Sequence, residues 1–103
     1  SRAKGFDTFC PLGPWIETEF VPADQGITAT LNGEVKQSSN LSEMIFKIPQ
    51  IIEFVTNVMT LLPGDVILTG TPAGISAMPA GSTISVSIDG LGTLTNKVSS
   101  RVQ

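Results

Sequence analysis

Histidine is absent from this sequence of 103 residues, and cysteine occurs once, as Cys10. Without histidine the chain cannot form a Ser-His-Asp or Cys-His set of its own, which excludes those forms of nucleophilic catalysis within it. A single cysteine cannot form an internal disulfide, which favours a reducing compartment. We expect Cys10 to be a small buried hydrophobic residue, because no histidine of this chain could activate its thiol.

Positive charge and long apolar runs are also scarce. Six Lys and Arg residues stand against nine Asp and Glu residues, which gives a net charge of −3. Binding of nucleic acid requires several clustered basic side chains, so a nucleic-acid partner is excluded. No apolar stretch is long enough to cross a bilayer, and no basic segment precedes an apolar run, so we expect neither a membrane span nor a signal peptide. These absences together predict a cytoplasmic protein.

The overall composition is that of a globular protein. Hydrophobic residues make up 41% of the chain and charged residues 15%, which is typical of one domain with a modest core. The sequence begins at Ser1 without methionine, and apparently structured sequence follows within a few residues. We therefore expect a fragment of a longer or cleaved protein.

Two tight-turn dipeptides predict two β-hairpins. Asn32-Gly33 separates extended runs at residues 27–31 and 34–38, and a type I′ turn needs positive φ at both central positions, which this pair accommodates. Asp89-Gly90 lies between an alternating apolar run at residues 84–88 and a second run at residues 94–98. Further short strands are predicted at residues 15–20 and 66–68. The proline- and aromatic-rich loop of residues 6–16 is expected to pack against the rest of the chain.

One segment has helical periodicity. Asn40 followed by Glu43 resembles a capping box and predicts a helical turn over residues 41–46. Pro49 suits the first turn of a longer helix that ends near residue 60. The apolar residues of this helix recur at spacings of three and four and predict one buried stripe, formed by Ile51, Ile52, Phe54, Val55, Val58 and Met59. The predicted fold class is α+β, mainly β and antiparallel, with one packed helix.

The sequence Gly70-Thr71-Pro72-Ala73-Gly74 follows the predicted strand at residues 66–68 and is poor in side chains to bury. It is either a surface turn or a loop whose backbone approaches a ligand, because glycine permits close approach and Thr71 offers a hydroxyl and an N–H. It lacks the Gly-Lys-Ser/Thr ending of a phosphate-binding P-loop.

Few charged side chains are candidates for chemistry. Lys4 is either a cation that faces an anion or a solvated lysine. Glu17 and Glu19 have the spacing that places two carboxylates on one strand face, but a solvated edge is the better interpretation because the flanking residues are apolar. The sequence shows no metal-ligand cluster.

Five segments resemble the C-terminal half of the fumarylacetoacetate hydrolase family, and they occur in the family's order. They read AKGFDTFCPLGPWI (residues 3–16), LNGEVKQSS (31–39), MIFKIPQIIEFVT (44–56), LLPGDVILTGTPAGI (61–75) and IDGLGTLTNKV (88–98). The resemblance covers nearly the whole chain, and the block from Pro-Gly-Asp to Gly-Thr-Pro is its most specific part. It implies a mixed β-sandwich roll and a homodimer. Residues 1–103 would then be the C-terminal part of a catalytic domain.

The resemblance also implies a class of chemistry. Family members hydrolyse, decarboxylate or isomerise small 2-oxo or 2-hydroxy-enoic acids, such as acylpyruvates, oxaloacetate and the dienoates of aromatic catabolism, with Mg²⁺ or Mn²⁺. The family's active-site lysine matches Lys4. Thr71 matches a threonine that contacts substrate, in a loop that begins at Gly70. Thr8 matches a threonine near the metal's outer shell.

The segments that resemble the family do not include its metal ligands, which belong to the half that precedes Lys4. We therefore expect that this chain needs the upstream half of its own domain, and that by itself it binds Mg²⁺ poorly and catalyses little. A different function is also open at this point. The apolar loop at residues 6–16 and the helix stripe would serve equally well in a non-catalytic β-rich interaction or oligomerisation module.

Overall fold

The structure is a computed structural model that describes residues 10–100. It confirms a mainly β fold with one helix. The elements, in chain order, are strands β1 (Gly26–Leu31) and β2 (Glu34–Asn40), a 3₁₀ turn (Leu41–Glu43), helix α1 (Ile48–Val58), and strands β3 (Thr83–Ile88) and β4 (Gly92–Lys97).

The four strands form one antiparallel sheet in the order β2-β1-β3-β4. The sheet consists of two hairpins, β1-β2 and β3-β4, whose inner strands β1 and β3 pair with each other. The helix and the Gly-Thr-Pro loop lie in the long connection between these hairpins. The two ends of this connection are therefore fixed by strands β2 and β3 of the sheet.

The β1-β2 turn has the predicted type I′ character. Asn32 has a φ of 52° and Gly33 a φ of 82°, so both central positions are in the left-handed region. The Asn32 side-chain oxygen also accepts a hydrogen bond of 2.9 Å from the backbone N–H of Thr83, and the Asn32 N–H donates to the Thr83 carbonyl at 2.8 Å. The turn is thereby attached to the first residue of β3.

The β3-β4 hairpin is confirmed as well, and its turn is one residue longer than the Asp89-Gly90 pair. Ile88 pairs with Gly92, so three residues form the loop. The Asp89 carboxylate accepts a 2.9 Å hydrogen bond from the backbone N–H of Gly26, at the start of β1. Each hairpin turn is thus tied by a side chain to a strand of the other hairpin.

The two faces of the sheet differ in chemistry. Directly paired residues share a face, and Ala29 pairs with Val86, which pairs with Leu94. This apolar face also carries Ile27, Leu31, Ile84 and Ile88. The opposite face carries serine and threonine, with hydroxyl–hydroxyl hydrogen bonds between Ser85 and Thr95 at 2.9 Å and between Ser87 and Thr93 at 2.7 Å.

A β-bulge changes the register of β2. With an unbroken register, a two-residue turn would place Lys36 opposite Ala29. In the structure Ala29 pairs with Gln37, and the register shifts between Ala29 and Thr30. Because side chains alternate between faces, this one extra residue moves Gln37 and Ser39 onto the apolar face.

Helix α1 begins with Pro49 in its first turn, as predicted, and ends at Val58. The prediction of a buried stripe is wrong for the described residues, because no residue of α1 is buried and Phe54 is 71% exposed. The stripe pattern is present, and Ile51 and Val55 are half-buried, but the other residues of the stripe are exposed among residues 10–100. Within those residues, no helix is both long and apolar enough to cross a membrane.

Three other predictions are wrong. Residues 15–20 belong to no strand of the described sheet; they contain a turn at residues 18–19, where the Glu17 carboxylate accepts a 3.0 Å hydrogen bond from the N–H of Glu19. Residues 66–68 are not a strand, because they pair with no strand among residues 10–100. Cys10 is exposed.

For the described part of the loop at residues 6–16, the prediction of packing is confirmed near Gly13 and Trp15, whereas Leu12 is 67% exposed. A Cβ atom on Gly92 would lie 2.6 Å from the Trp15 ring, and a Cβ on Gly13 would lie 3.4 Å from a Leu94 methyl group. The loop therefore lies over the β3-β4 hairpin, although Trp15 remains 56% exposed. Glycine at position 92 makes room for the indole ring.

Candidate functional site

A cleft of about 400 Å³ lies where the apolar face of β1 and β2 meets the long connection. One wall consists of residues 39–41 and 43–46, which include the 3₁₀ turn, and the other consists of residues 69–72. Ile27 and Ile51 are the apolar residues contributed by β1 and α1. The Gly-Thr-Pro segment thus borders a concave surface of the size that small-molecule sites have.

The loop that contains Gly70 and Gly74 is held on strand β2. Gly74 has a φ of 102°, and a Cβ atom there would overlap the backbone carbonyl oxygen of Lys36. Gly70 has a φ of 94°, with no atom within 4 Å of where its Cβ would be. Gly74 therefore serves a close approach to the chain's own strand, whereas Gly70 is required by backbone conformation alone.

A second anchor of the loop is the side chain of Gln37. Its amide nitrogen lies 2.7 Å from the Thr71 hydroxyl oxygen and 2.7 Å from the Pro72 carbonyl oxygen. Gln37 reaches them because the bulge places it on the apolar face, beside the cleft. Gln37 and Lys36 together fix the loop to β2 at two points.

The opposite wall is closed by its own hydrogen bonds. Asn40 is the N-cap of the 3₁₀ turn, as predicted, and its oxygen accepts from the N–H of Ser42 at 3.0 Å and from the Ser42 hydroxyl. The capping box predicted with Glu43 is wrong: in the described residues the Asn40 side chain bonds to Ser42 and not to Glu43. The Lys47 ammonium donates to the carbonyls of Ser42 at 2.6 Å and Met44 at 3.1 Å, which closes this wall.

The described cleft residues do not form a metal site. Glu43 is the one carboxylate among the cleft-lining residues of this part of the chain. In residues 10–100 no group of three or more His, Cys, Asp or Glu side chains is arranged to hold a metal ion. Glu17 is outside the cleft and accepts a bond from its own turn. A divalent cation therefore does not find a ligand set among the described residues.

Two of the four predicted site residues can be located. Gly70 and Thr71 both line the cleft, at its exposed rim. Lys4 and Thr8 lie outside the described residues, so their positions relative to the cleft stay predictions. The sequence interpretation did not single out Gln37, although the segment containing it is one of the five on which the family resemblance rests.

Comparison with known proteins adds to this geometry. The family model for the C-terminal domain of fumarylacetoacetate hydrolase matches residues 1–99. The chain belongs to the fumarylacetoacetate hydrolase family. It spans about two-fifths of the length of the curated relatives it matches.

Relatives within this family carry several activities. Oxaloacetate tautomerase FAHD2A of Bos taurus, a mitochondrial protein, is 44% identical over 105 residues, covering 92% of this chain and 33% of the relative. The crystal structure of 2-hydroxyhepta-2,4-diene-1,7-dioate isomerase from Mycobacterium marinum matches with a TM-score of 0.95 and 52% identity, over 100% of this chain and 41% of that one.

A third relative has a ligand-bound structure. Maleylpyruvate hydrolase from Sphingobium sp. SYK-6, in complex with manganese(II) and pyruvate, matches with a TM-score of 0.87 and 38% identity, over 91% of this chain and 37% of that one. The family of this chain is therefore one of enzymes that include isomerases, hydrolases and a tautomerase.

Proposed function

We propose that this chain is the C-terminal part of an enzyme that hydrolyses, decarboxylates or isomerises a small 2-oxo or 2-hydroxy-enoic acid. Acylpyruvate, oxaloacetate and 2-hydroxyhepta-2,4-diene-1,7-dioate are the substrate types. The observation that carries this proposal is the position of Thr71, which borders the cleft while its hydroxyl is held by Gln37. A fixed hydroxyl at the rim of a cleft is suited to orienting a small polar substrate.

The size and polarity of the cleft support a small acid as substrate. A volume of about 400 Å³ accommodates a compound of a few carbons. The described lining combines apolar groups with the neutral polar groups of Ser39, Asn40, Thr69 and Thr71, and it includes one carboxylate, that of Glu43. The related maleylpyruvate hydrolase has been crystallised with pyruvate, which is a 2-oxo acid of this size. Neutral donors can hold a carboxylate or keto oxygen without adding charge.

Each predicted residue has a role in this proposal. The Thr71 hydroxyl and the Gly70 N–H donate to the substrate's carboxylate or keto oxygen and keep it in register. The Lys4 ammonium stabilises the negative charge that develops on the enolate oxygen. For Thr8 we propose a position near the outer shell of the bound cation.

The proposed cofactor is Mg²⁺ or Mn²⁺. We propose, from the family resemblance, that its ligands lie in the part of the domain that precedes Lys4; residues 10–100 show no ligand set of their own. Such a cation, when bound, polarises the oxygens of a 2-oxo acid. The manganese in the related hydrolase structure supports the choice of a divalent metal.

The exposed apolar surface supports the need for a further part of the same domain. Ala29 is the one buried apolar residue among those described, whereas Phe54 and Val58 on α1 are 71% and 66% exposed. We propose that the upstream half of the domain and a second subunit cover such surfaces, as a cytoplasmic homodimer. A non-catalytic interaction module, the second candidate, is favoured by the same exposed surface.

The test measures turnover of oxaloacetate and of acylpyruvates by the intact protein that contains this chain, with Mg²⁺ or Mn²⁺ and with chelator. We expect metal-dependent turnover, and a fall in kcat of about a hundredfold for Lys4→Met and for Thr71→Val. Thr56→Val is the matched control for Thr71→Val, because Thr56 is exposed on α1 and its hydroxyl bonds only to helix carbonyls in the described structure.

Two results would contradict this proposal. Undiminished turnover in Lys4→Met and Thr71→Val would remove both residues from the mechanism. A folded intact protein that turns over none of these acids, and that binds another protein through its apolar surface, would favour the interaction module.

A further inference from the structure

We infer that Gln37 is a positioning residue that sets the direction of the Thr71 hydroxyl hydrogen, so that Thr71 acts as a hydrogen-bond donor toward the substrate. This inference rests on the proposed function and deepens it. Gln37 does not border the cleft itself and acts through Thr71.

The orientation of the Gln37 amide follows from its contact with Pro72. A carbonyl oxygen can only accept, so the group that lies 2.7 Å from the Pro72 carbonyl must be the NH₂ of the amide. The same nitrogen lies 2.7 Å from the Thr71 hydroxyl oxygen. An amide NH₂ has two hydrogens and no acceptor capacity, so one hydrogen goes to each partner.

This arrangement determines what the Thr71 hydroxyl can do. Its oxygen accepts from Gln37, so its own hydrogen must point away from that amide. Thr71 also borders the cleft, which leaves the hydrogen available to an oxygen atom there. A donor fixed in advance stabilises a developing negative charge better than a hydroxyl that must first rotate.

The placement of Gln37 is itself determined by the fold. The bulge in β2 directs the Gln37 side chain to the face on which the loop lies, and the carbonyl of the preceding residue, Lys36, is the atom against which Gly74 packs. Two consecutive residues of β2 therefore position the loop: Gln37 holds Thr71 and Pro72, and Lys36 contacts Gly74. A shift of β2 by one residue would remove both contacts.

Two substitutions, compared with and without the Thr71 hydroxyl, separate an orienting role from a merely structural one. Gln37→Met keeps the approximate length and removes both hydrogen bonds, so the Thr71 hydroxyl can rotate and still donate part of the time. Gln37→Glu introduces a carboxylate that only accepts, so the Thr71 hydrogen turns toward it and away from the cleft. The new carboxylate also repels the Pro72 carbonyl, so a structural tie and an orienting role both predict a greater loss for Gln37→Glu than for Gln37→Met. Only the orienting role predicts that this extra loss disappears once the Thr71 hydroxyl has been removed.

The experiment measures kcat and KM for oxaloacetate with Mn²⁺ in the intact protein, together with binding of oxalate, an enolate mimic, by calorimetry. We expect kcat to fall about tenfold in Gln37→Met and about a hundredfold in Gln37→Glu, the loss typical of a missing oxyanion donor. Oxalate affinity should fall in the same order. Gln50→Glu is the control, because it adds the same charge on α1 and keeps the acceptor oxygen that bonds to the Lys47 N–H.

A double-mutant comparison tests whether Gln37 acts through Thr71. In the Thr71→Val background, Gln37→Glu should reduce kcat by no more than about threefold further, because the hydroxyl it redirects is gone. Thr71→Ser keeps a hydroxyl and should remain sensitive to Gln37→Glu. Thermal melting of each variant identifies any that fails to fold. If Gln37→Glu does not fold, the oxalate affinity and kcat of Gln37→Met test the inference in its place.

Equal losses in the two Gln37 variants, or losses that multiply with that of Thr71→Val, would overturn the orienting role. If the intact protein turns over none of the acids, the proposed function fails. If Thr71→Val is impaired while both Gln37 variants keep wild-type kcat and oxalate affinity, this inference alone fails.

Discussion

Alanine at Gly74 should destabilise the protein more than alanine at Gly64, although the two glycines have similar positive φ angles. Their φ angles are 102° and 91°, so either substitution places an L-residue in a region it rarely adopts, at about 1–2 kcal/mol. At Gly64 a Cβ atom meets nothing within 4 Å, whereas at Gly74 it overlaps the Lys36 carbonyl oxygen. Relieving that overlap requires the loop or β2 to move, which costs about 1–3 kcal/mol more.

The expected total loss in the free energy of unfolding is therefore about 2–5 kcal/mol for Gly74→Ala and about 1–2 kcal/mol for Gly64→Ala. Urea denaturation of the intact protein, with wild type and both variants side by side, measures the difference. Because the overlap lies on the strand that anchors the Gly-Thr-Pro loop, Gly74→Ala should also lower kcat, and Gly64→Ala should leave it unchanged. Equal destabilisation by the two variants would show that the loop does not lie against β2 in this way.

Two further predictions concern the hairpins. Asn32→Ala should lower the free energy of unfolding by about 1–2 kcal/mol, because it removes the acceptor for the Thr83 N–H and puts alanine at a φ of 52°; urea denaturation checks this, and an unchanged midpoint would contradict it. Gly92→Ala should displace the Trp15 ring, since the new Cβ would lie 2.6 Å from it. Trp15 is the chain's only tryptophan, so in a form of the protein where it is the sole fluorophore a red-shifted emission should follow, and an unshifted spectrum would refute the contact.

The hairpins were predictable because local chemistry determines them. Asn32-Gly33 tolerates the two positive φ angles of a type I′ turn, and the alternation of Ile84, Val86 and Ile88 identifies the apolar face of β3. Both signals act over fewer than ten residues. Neither depends on parts of the molecule distant in sequence, and for that reason each was recovered with nearly correct bounds.

The position of Gln37 was not predictable in the same way. Residues 34–40 are almost entirely polar, so no hydrophobic alternation identifies which of them point to the apolar face. A regular register counted from the turn would place Lys36 opposite Ala29, on the apolar face. The bulge places Gln37 there instead. The Asn32-Gly33 turn predicts the register of the β1-β2 pair only as far as the first bulge, and Gln37 lies beyond it.

Helix α1 shows a different limit of sequence reasoning. Its apolar stripe correctly predicted an amphipathic helix with Pro49 in the first turn. The spacing of apolar residues predicts that one face of the helix is in contact with other apolar groups, but it does not predict which part of the molecule provides them. In residues 10–100 Ile51 and Val55 of the stripe are half-buried, whereas Phe54 and Val58 stay largely exposed. The same reasoning explains residues 66–68, whose β-prone sequence finds no partner strand there.

The candidate site differs from these uncovered elements in how it is held. Most of the helix stripe is exposed in the described chain. Thr71 and Pro72, in contrast, are fixed by hydrogen bonds from Gln37 and by the fit of Gly74 against Lys36. Polar contacts with defined geometry set the direction of a hydroxyl group, which apolar packing alone does not do. The loop geometry at Thr71 is therefore encoded within strand β2 and the loop itself. In our proposal the orientation of this donor comes from the residues described, and the upstream part of the domain would add charge and coverage.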